Sequence, residues 1–273
     1  MPRFSANLSF LFTELEFLDR FQAAARAGFK AVEFLFPYAY EPAQIRERLD
    51  AYELELALFN LPPGHWDKGE RGYTGVPGRE DDFAHAVDLA LRYAEALGCR
   101  KLHAMAGLTT HGAIRETYVA NLRLAAEWAA DEGVSILIEP INTFDMPGYL
   151  LSRTADAASV LAEVGAENLK LQLDLYHRHR MEGDAAGAVA AFGPLAGHYQ
   201  IAGPPDRGEP DQGDLDYAEM FKLIDASGFD GFVGCEYKPR AGTVAGLAWV
   251  ERLGVTLGRA PGIAGAVPPN LSS

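Results

Sequence analysis

Four side chains with oxygen donors stand at the ends of short apolar runs: Glu139 in ILIEP, Asp174 in LQLDLYH, Gln200 in HYQIA and Glu236 in VGCEYKP. The first is the plainest. Ile136–Ile138 is too short for a helix and suits a buried strand. Pro140 has no N–H, so the ladder stops there and a loop begins. A carboxylate that closes a buried strand is costly unless a metal, a proton or a cation compensates it. Alone, Glu139 reads more readily as a salt-bridged strand end. Together with the other three it reads as a catalytic carboxylate, because three converging carboxylates repel and a divalent ion relieves the repulsion. The set is all oxygen, which suits Mg²⁺ or Mn²⁺ better than a dedicated zinc site.

The neighbours of these positions carry further signals. His177 follows Asp174 by three and shares the pocket mouth, either touching substrate or lying behind it; His179 is farther away. His198 precedes Gln200 by two, so on a strand both point inward, with His198 one layer deeper as a core or supporting residue. Cys235, adjacent to Glu236, should point outward into inert packing.

The elements that must position these residues alternate along the chain. Strands are expected at Arg3–Leu8, Ala31–Phe36, Leu54–Leu61, Lys101–Ala106, Ser135–Glu139, Leu169–Leu173, Gly197–Ile201 and Gly231–Cys235. Helices are expected at Glu14–Ala27, Pro42–Tyr52, Glu80–Leu97, Arg115–Glu132, Thr154–Val164, Asp184–Phe192, Asp216–Ser227 and Thr243–Leu253. Eight strands alternating with eight helices predict a single-domain α/β fold, the (β/α)8 TIM barrel, over residues 1–258. A doubly wound sheet would carry a Gly-rich phosphate turn after its first strand, and SANLSFLF has none. Residues 259–273 (RAPGIAGAVPPNLSS) read as a flexible C-terminal tail without chemistry. In such barrels the strand C-termini carry the chemistry, and the four oxygen donors close strands five to eight, which are neighbours around the ring.

The segment Pro62–Arg79 (PPGHWDKGERGYTGVPGR) is much longer than the about 2–6 residues usual for such connections. It follows Asn60 at the end of the third strand and carries His65, Trp66, Lys68, Glu70 and Arg71, so it reads as a functional loop on the active-site face.

Composition narrows the function. The formal net charge of −14 argues against a duplex-DNA partner, which needs a basic face, and means that an anionic substrate needs a locally basic pocket. Two cysteines without metal spacing imply reduced thiols and a cytoplasmic protein. No apolar run is long enough for a membrane span, and MPRFSANLSFLF lacks a clean signal-peptide core. Oligomeric state is not legible; a homo-oligomer, most commonly an isologous dimer, is the default expectation.

Read together, RFSANLSFLF, FLFPY, NLPPGHWDKGERG, IEPIN, DLYHRHRMEGD, HYQIAGPPDRGEPDQGDLDY and GCEYKP resemble the hydroxypyruvate isomerase family, a branch of the xylose-isomerase-like TIM barrels. The resemblance covers roughly residues 3–255. It implies a metal held by Glu139, Asp174, Gln200 and Glu236, with Gln200 standing where many relatives have His. It also implies an acid/base pair of Glu139 and Glu236, a substrate-binding His177, and Arg207 near the substrate hydroxyls.

The reaction so implied moves a proton between the two carbons flanking an enediolate, which a metal stabilises as a Lewis acid while two carboxylates serve as acid and base. For hydroxypyruvate the product is tartronate semialdehyde (2-hydroxy-3-oxopropanoate). The substrate carboxylate needs a cation, and Lys68, Arg71, Arg207, Lys238 and Arg240 lie on mouth-side loops, with Arg71 or Lys238 as the expected clamp. Asn60, His65 and Glu70 complete the expected substrate contacts. A 2-oxo-tetronate isomerase is the close rival, differing by one hydroxymethyl group. A ketose 3-epimerase would make the basic loops incidental. A metal-cluster DNA-repair endonuclease would need more His ligands and a basic face. A non-catalytic sugar-acid binder would be expected to have lost one of the four oxygen donors.

Overall fold

Period-two alternation along each short run buries one row of side chains against helices and turns the other into the middle of a ring. In the computed structural model, which describes residues 1–257, eight parallel strands close into a barrel in the order β1 to β8. They are β1 Arg3–Asn7, β2 Ala31–Phe34, β3 Glu55–Asn60, β4 Lys101–His103, β5 Ser135–Ile138, β6 Leu169–Asp174, β7 Ala196–Ile201 and β8 Phe232–Cys235. The outer ring consists of α1 Phe17–Ala27, α2 Pro42–Ala51, α3 Glu80–Leu97, α4 Arg115–Asp131, α5 Thr154–Val164, α6 Leu175–Glu182, α7 Ala185–Phe192 and α8 Tyr217–Ala226, followed by two short turns of helix, α9 Thr243–Gly246 and α10 Trp249–Arg252. The single-domain (β/α)8 barrel expected from the alternation is the fold. The tail expected at 259–273 lies outside the described residues. Among the described residues no helix is long and apolar enough to cross a membrane.

The strand–helix layer is the apolar core. Phe4, Phe21, Phe34, Phe59, Leu102, Ile136, Tyr199 and Trp249 are all fully buried there, and Cys235 packs with them as expected. The barrel interior differs from the branched aliphatic filling usual for this fold. Ser5, Asn7, Glu33, His103, Gln172, Asp174, His198 and Gln200 are all buried polar residues on the strands. Register sets them side by side: Asn7 pairs with Glu33, Asp174 with Gln200, and Gln200 with Gly234.

Two elements depart from the sequence expectation. The chain leaves β6 directly into α6, where a loop mouth was expected. Asp174 makes this possible, because its Oδ1 accepts from the backbone N–H groups of Tyr176 (2.7 Å) and His177 (3.0 Å) and so caps the helix. The helix expected over Thr243–Leu253 is interrupted between α9 and α10. Gly246 there lies so close to Glu209 that a Cβ would come within 2.8 Å of its Oε1.

Candidate active site

The ends of β4 to β8 and the loops beyond β1 to β3 surround a cavity of about 350 Å³. Asn60, His103, Glu139, Gln172, His177, Arg207, Glu236 and Lys238 contribute its polar wall, and Phe10, Phe36, Trp66, Met105 and Ile141 its apolar one. Of the residues singled out from sequence, Glu139, His177, Arg207, Glu236, Lys238 and Asn60 therefore meet in one place. Asp174 is buried beside them, 3.9 Å from His177 (Oδ2 to Nε2), and Gln200 lies behind them.

The substrate-binding role expected of Arg71, Glu70 and His65 finds no support, because the structure does not bring them to the cavity wall. Their loop folds against itself. Glu70 accepts from the His65 backbone N–H (2.5 Å) and pairs with Arg79 (3.0 Å). Arg71 stacks on Trp66 with its guanidinium carbon 3.8 Å from the ring centroid and donates to the Trp66 carbonyl (3.1 Å). These contacts hold the indole, which does line the cavity, so the loop acts through Trp66. Gly72, at φ +87°, lets the loop lie flat on the end of β4; a Cβ there would sit 2.3 Å from the Met105 carbonyl oxygen.

Glu139, Asp174 and His177 form a buried group that could hold a metal ion, with one ligand atom from each lying within 4.8 Å of the others. His177 Nε2 adjoins the two carboxylates, 3.8 Å from Glu139 Oε1 and 3.9 Å from Asp174 Oδ2. Glu139 Oε1 and Asp174 Oδ2 are buried with no hydrogen-bond partner, which is the state a cation would relieve. Asp174 thus divides its work: Oδ1 caps α6 and Oδ2 faces the site.

Gln200 and Glu236, expected as the remaining ligands, are engaged differently. Gln200 Oε1 accepts from Gln172 Nε2 (2.7 Å), and Gln200 Nε2 donates to Glu236 Oε2 (2.6 Å) and Glu33 Oε1 (2.9 Å). Glu236 Oε2 also accepts from Asn7 Nδ2 (2.8 Å), and its Oε1 is ion-paired with Arg207. Arg207, clamped between the rings of Phe10 (4.8 Å) and Tyr176 (5.5 Å), gives Glu236 a positive partner.

Burial dominates the titration of the site. It pushes the Glu139 carboxyl well above the ordinary range, and the charges of Glu236 and Asp174 push it further. Glu236 is raised by burial to about 8, against the opposing pull of Arg207. Asp174 is raised for the same first reason and held back by Arg207 and its two backbone N–H donors. Burial also lowers His177 well below the usual imidazole value, with the Arg207 charge next, and lowers His103 to about 3. Both rings are therefore neutral near pH 7. Grouped acids and imidazoles under such divergent pressures are a feature that proton-transfer sites share.

Sequence reading passed over Asn7, Glu33, His103 and Asn142. Glu33 and His103 had a signal, a polar residue between apolar ones in AVEFLF and LHAM, whereas Asn7, between serines in SANLS, and Asn142, in the loop of EPIN, had none. Their roles depend on which strand lies opposite. His198 is the supporting histidine expected, its Nε2 2.8 Å from Glu33 Oε2.

Comparison with known proteins agrees with this geometry. Residues 21–253 match the family model described as xylose isomerase-like TIM barrel. A 2-oxo-tetronate isomerase from Cupriavidus necator is 53% identical over 255 residues, covering 92% of this chain and 98% of that protein. A hydroxypyruvate isomerase from Escherichia coli K12 is 47% identical over 255 residues, covering 92% and 99%. A crystal structure described as an AP endonuclease, family 2, from Brucella melitensis superposes with a TM-score of 0.90 at 46% identity, covering 92% of this chain and 99% of that one. The chain is therefore an isomerase of the hydroxypyruvate isomerase/2-oxo-tetronate isomerase family, within the xylose isomerase-like TIM barrels.

Proposed function

We propose that this protein isomerises a 2-oxo-tetronate, moving the carbonyl of a four-carbon sugar acid from C2 to C3, and that hydroxypyruvate is the poorer substrate. The observation that carries the reaction is one cavity bounded by two buried carboxyl groups, Glu139 and Glu236, both of whose pKa values burial raises. The greater similarity to a 2-oxo-tetronate isomerase (53%) than to a hydroxypyruvate isomerase (47%) supports the four-carbon substrate. So does the cavity volume of about 350 Å³, with a wall of Phe36, Trp66 and Ile141 against which an added hydroxymethyl group can lie.

The hydrogen on C3 is acidic because the C2 carbonyl delocalises the resulting charge. One glutamate of the pair removes it, an enediolate spans C2 and C3, and a proton returned to C2, with the O3 hydroxyl proton passed to O2, completes the shift. The charge of Glu236 raises Glu139 further, so ionisation of one carboxyl opposes ionisation of the other. A divalent ion bound by Glu139 and Asp174, with Mg²⁺ or Mn²⁺ favoured by the hard oxygen donors, would supply Lewis acidity at the substrate oxygens. His177 Nε2–H faces the same space and donates to a substrate oxygen. Lys238, exposed at the rim, and Arg207 provide the positive charge for the substrate carboxylate in a chain of net charge −14.

The test is turnover of a 2-oxo-tetronate and of hydroxypyruvate by the purified protein, before and after chelation and with Mg²⁺ or Mn²⁺ restored. The expected result is a higher kcat/KM for the four-carbon acid, lost on chelation and recovered with the metal. A preference for hydroxypyruvate overturns the substrate assignment, and turnover indifferent to chelation overturns the metal.

A further inference from the structure

Beneath Glu236 lies a second carboxylate that the reaction above does not use. Glu33, in the middle of β2, is fully buried. Its Oε2 accepts from Ser5 Oγ (2.6 Å) and lies 2.8 Å from His198 Nε2. Its Oε1 accepts from Gln200 Nε2 (2.9 Å) and Asn7 Nδ2 (3.2 Å). Those same two amide nitrogens donate to Glu236 Oε2, at 2.6 Å from Gln200 and 2.8 Å from Asn7. Two NH₂ groups from β7 and β1 thus each bridge the carboxylates of β2 and β8.

A primary amide presents nitrogen or oxygen to a neighbour with little difference in shape. Asn7 Oδ1 accepts from the Ser9 backbone N–H (3.0 Å) and Gln200 Oε1 from Gln172 Nε2 (2.7 Å), so each amide turns its nitrogen toward the carboxyl groups. Between two carboxyl groups each nitrogen is held from both sides, since the reversed amide would set its oxygen against the oxygens of both. Three donors, Ser5 Oγ, Gln200 Nε2 and Asn7 Nδ2, aim at the two Glu33 oxygens, the surroundings of an acceptor-only, ionised carboxylate.

The opposite strand is shaped for this residue. A Cβ on Gly234 would lie 2.2 Å from Glu33 Oε1 and 2.5 Å from Oε2. Gly234 is not among the glycines with positive φ, so the backbone does not require glycine there; the space occupied by Glu33 does.

We propose that Glu33 is a positioning residue for the isomerisation: through the amides of Gln200 and Asn7 it fixes the Glu236 carboxylate in its reactive orientation. The inference rests on the assignment of Glu236 to the acid/base pair. The metal-loaded protein is assayed with a 2-oxo-tetronate as wild type, Glu33→Gln, Gly234→Ala, the double variant, and Glu236→Gln as reference. Glu33→Gln removes the anion, and Gly234→Ala displaces it while leaving it charged, so the second carries the test if the first does not fold. Loss of such an indirect support typically costs about 10–100-fold in activity.

The expected result is a kcat loss in that range for each single variant, with KM within about threefold of wild type. The double variant should be no worse than the poorer single one. Wild-type kcat in both single variants, with Glu236→Gln inactive, overturns the role of Glu33 and leaves that of Glu236 standing. A KM that rises as far as kcat falls overturns it too, because Glu33 would then serve substrate binding. An active Glu236→Gln overturns the functional reading and this inference with it.

Discussion

Replacing Asn142 by Asp should move the proton of His177 from one ring nitrogen to the other. Asn142 Oδ1 accepts from the backbone N–H groups of Phe144 (3.1 Å) and Asp145 (2.9 Å), which fixes the end of the amide that is nitrogen. That nitrogen lies 2.6 Å from His177 Nδ1. Nδ1 is then an acceptor, and the neutral ring carries its hydrogen on Nε2, facing the cavity. The other tautomer would set N–H against N–H and leave buried donors unsatisfied, at roughly 1–3 kcal/mol each. A difference of about 2 kcal/mol already confines that tautomer to about 3% of the population. Aspartate at 142 keeps the two backbone contacts and turns the third into an acceptor, so the proton settles on Nδ1 and Nε2 presents a lone pair. Asp145 Oδ2 is 3.2 Å from the same position, so some stability is lost as well. A hydrogen bond to a charged partner is worth about 1.5–3 kcal/mol, so loss of the Nε2 donor should raise KM for the sugar acid by roughly 10- to 150-fold. Affinity for a divalent ion should rise, because Nε2 can now join Glu139 and Asp174. Long-range ¹H–¹⁵N correlation of the imidazole reports the tautomer directly, and a metal titration reports the affinity. A wild-type ring protonated on Nδ1 would refute the reasoning, whatever the kinetics.

Two further outcomes follow from the same geometry. In the metal-free protein Glu236 is raised from 4.5 to about 8, so between those values the folded state binds more protons than the unfolded. Stability contributed by this group therefore falls as pH rises through that window; Tm measured by differential scanning should decline across it, and the slope should flatten in Glu236→Gln. On the rim, Lys238→Ala should raise KM for the sugar acid about tenfold, the effect of losing one charged contact of roughly 1.5 kcal/mol, while Arg71→Ala, which removes a support behind Trp66 and no charge from the cavity wall, should change KM by less than about threefold. Steady-state kinetics on both variants checks the contrast.

What the sequence alone determined is the part governed by short-range rules. Period-two runs, helical spacing and punctuating Gly and Pro specify eight β/α units, and eight such units close in one way. Strand ends are legible for the same reason, so Glu139, Asp174, Gln200 and Glu236 could be found from one residue on either side. Asp174 as the cap of α6 was within reach of the same rules, since the capped N–H groups lie two and three residues on. Contacts between strands are another matter. Glu33 meets His198 across 165 positions of sequence and Gln200 across 167, and Asn7 meets Glu236 across 229. Nothing local tells a buried Glu which carboxylate it will face, or that Gly234 clears the space for it. The loop Pro62–Arg79 shows the converse. Its residue types suit a substrate clamp, yet Arg71 is spent on holding Trp66 and Glu70 on His65 and Arg79, because a side chain's partner is set by the distance and direction that closure of the barrel imposes.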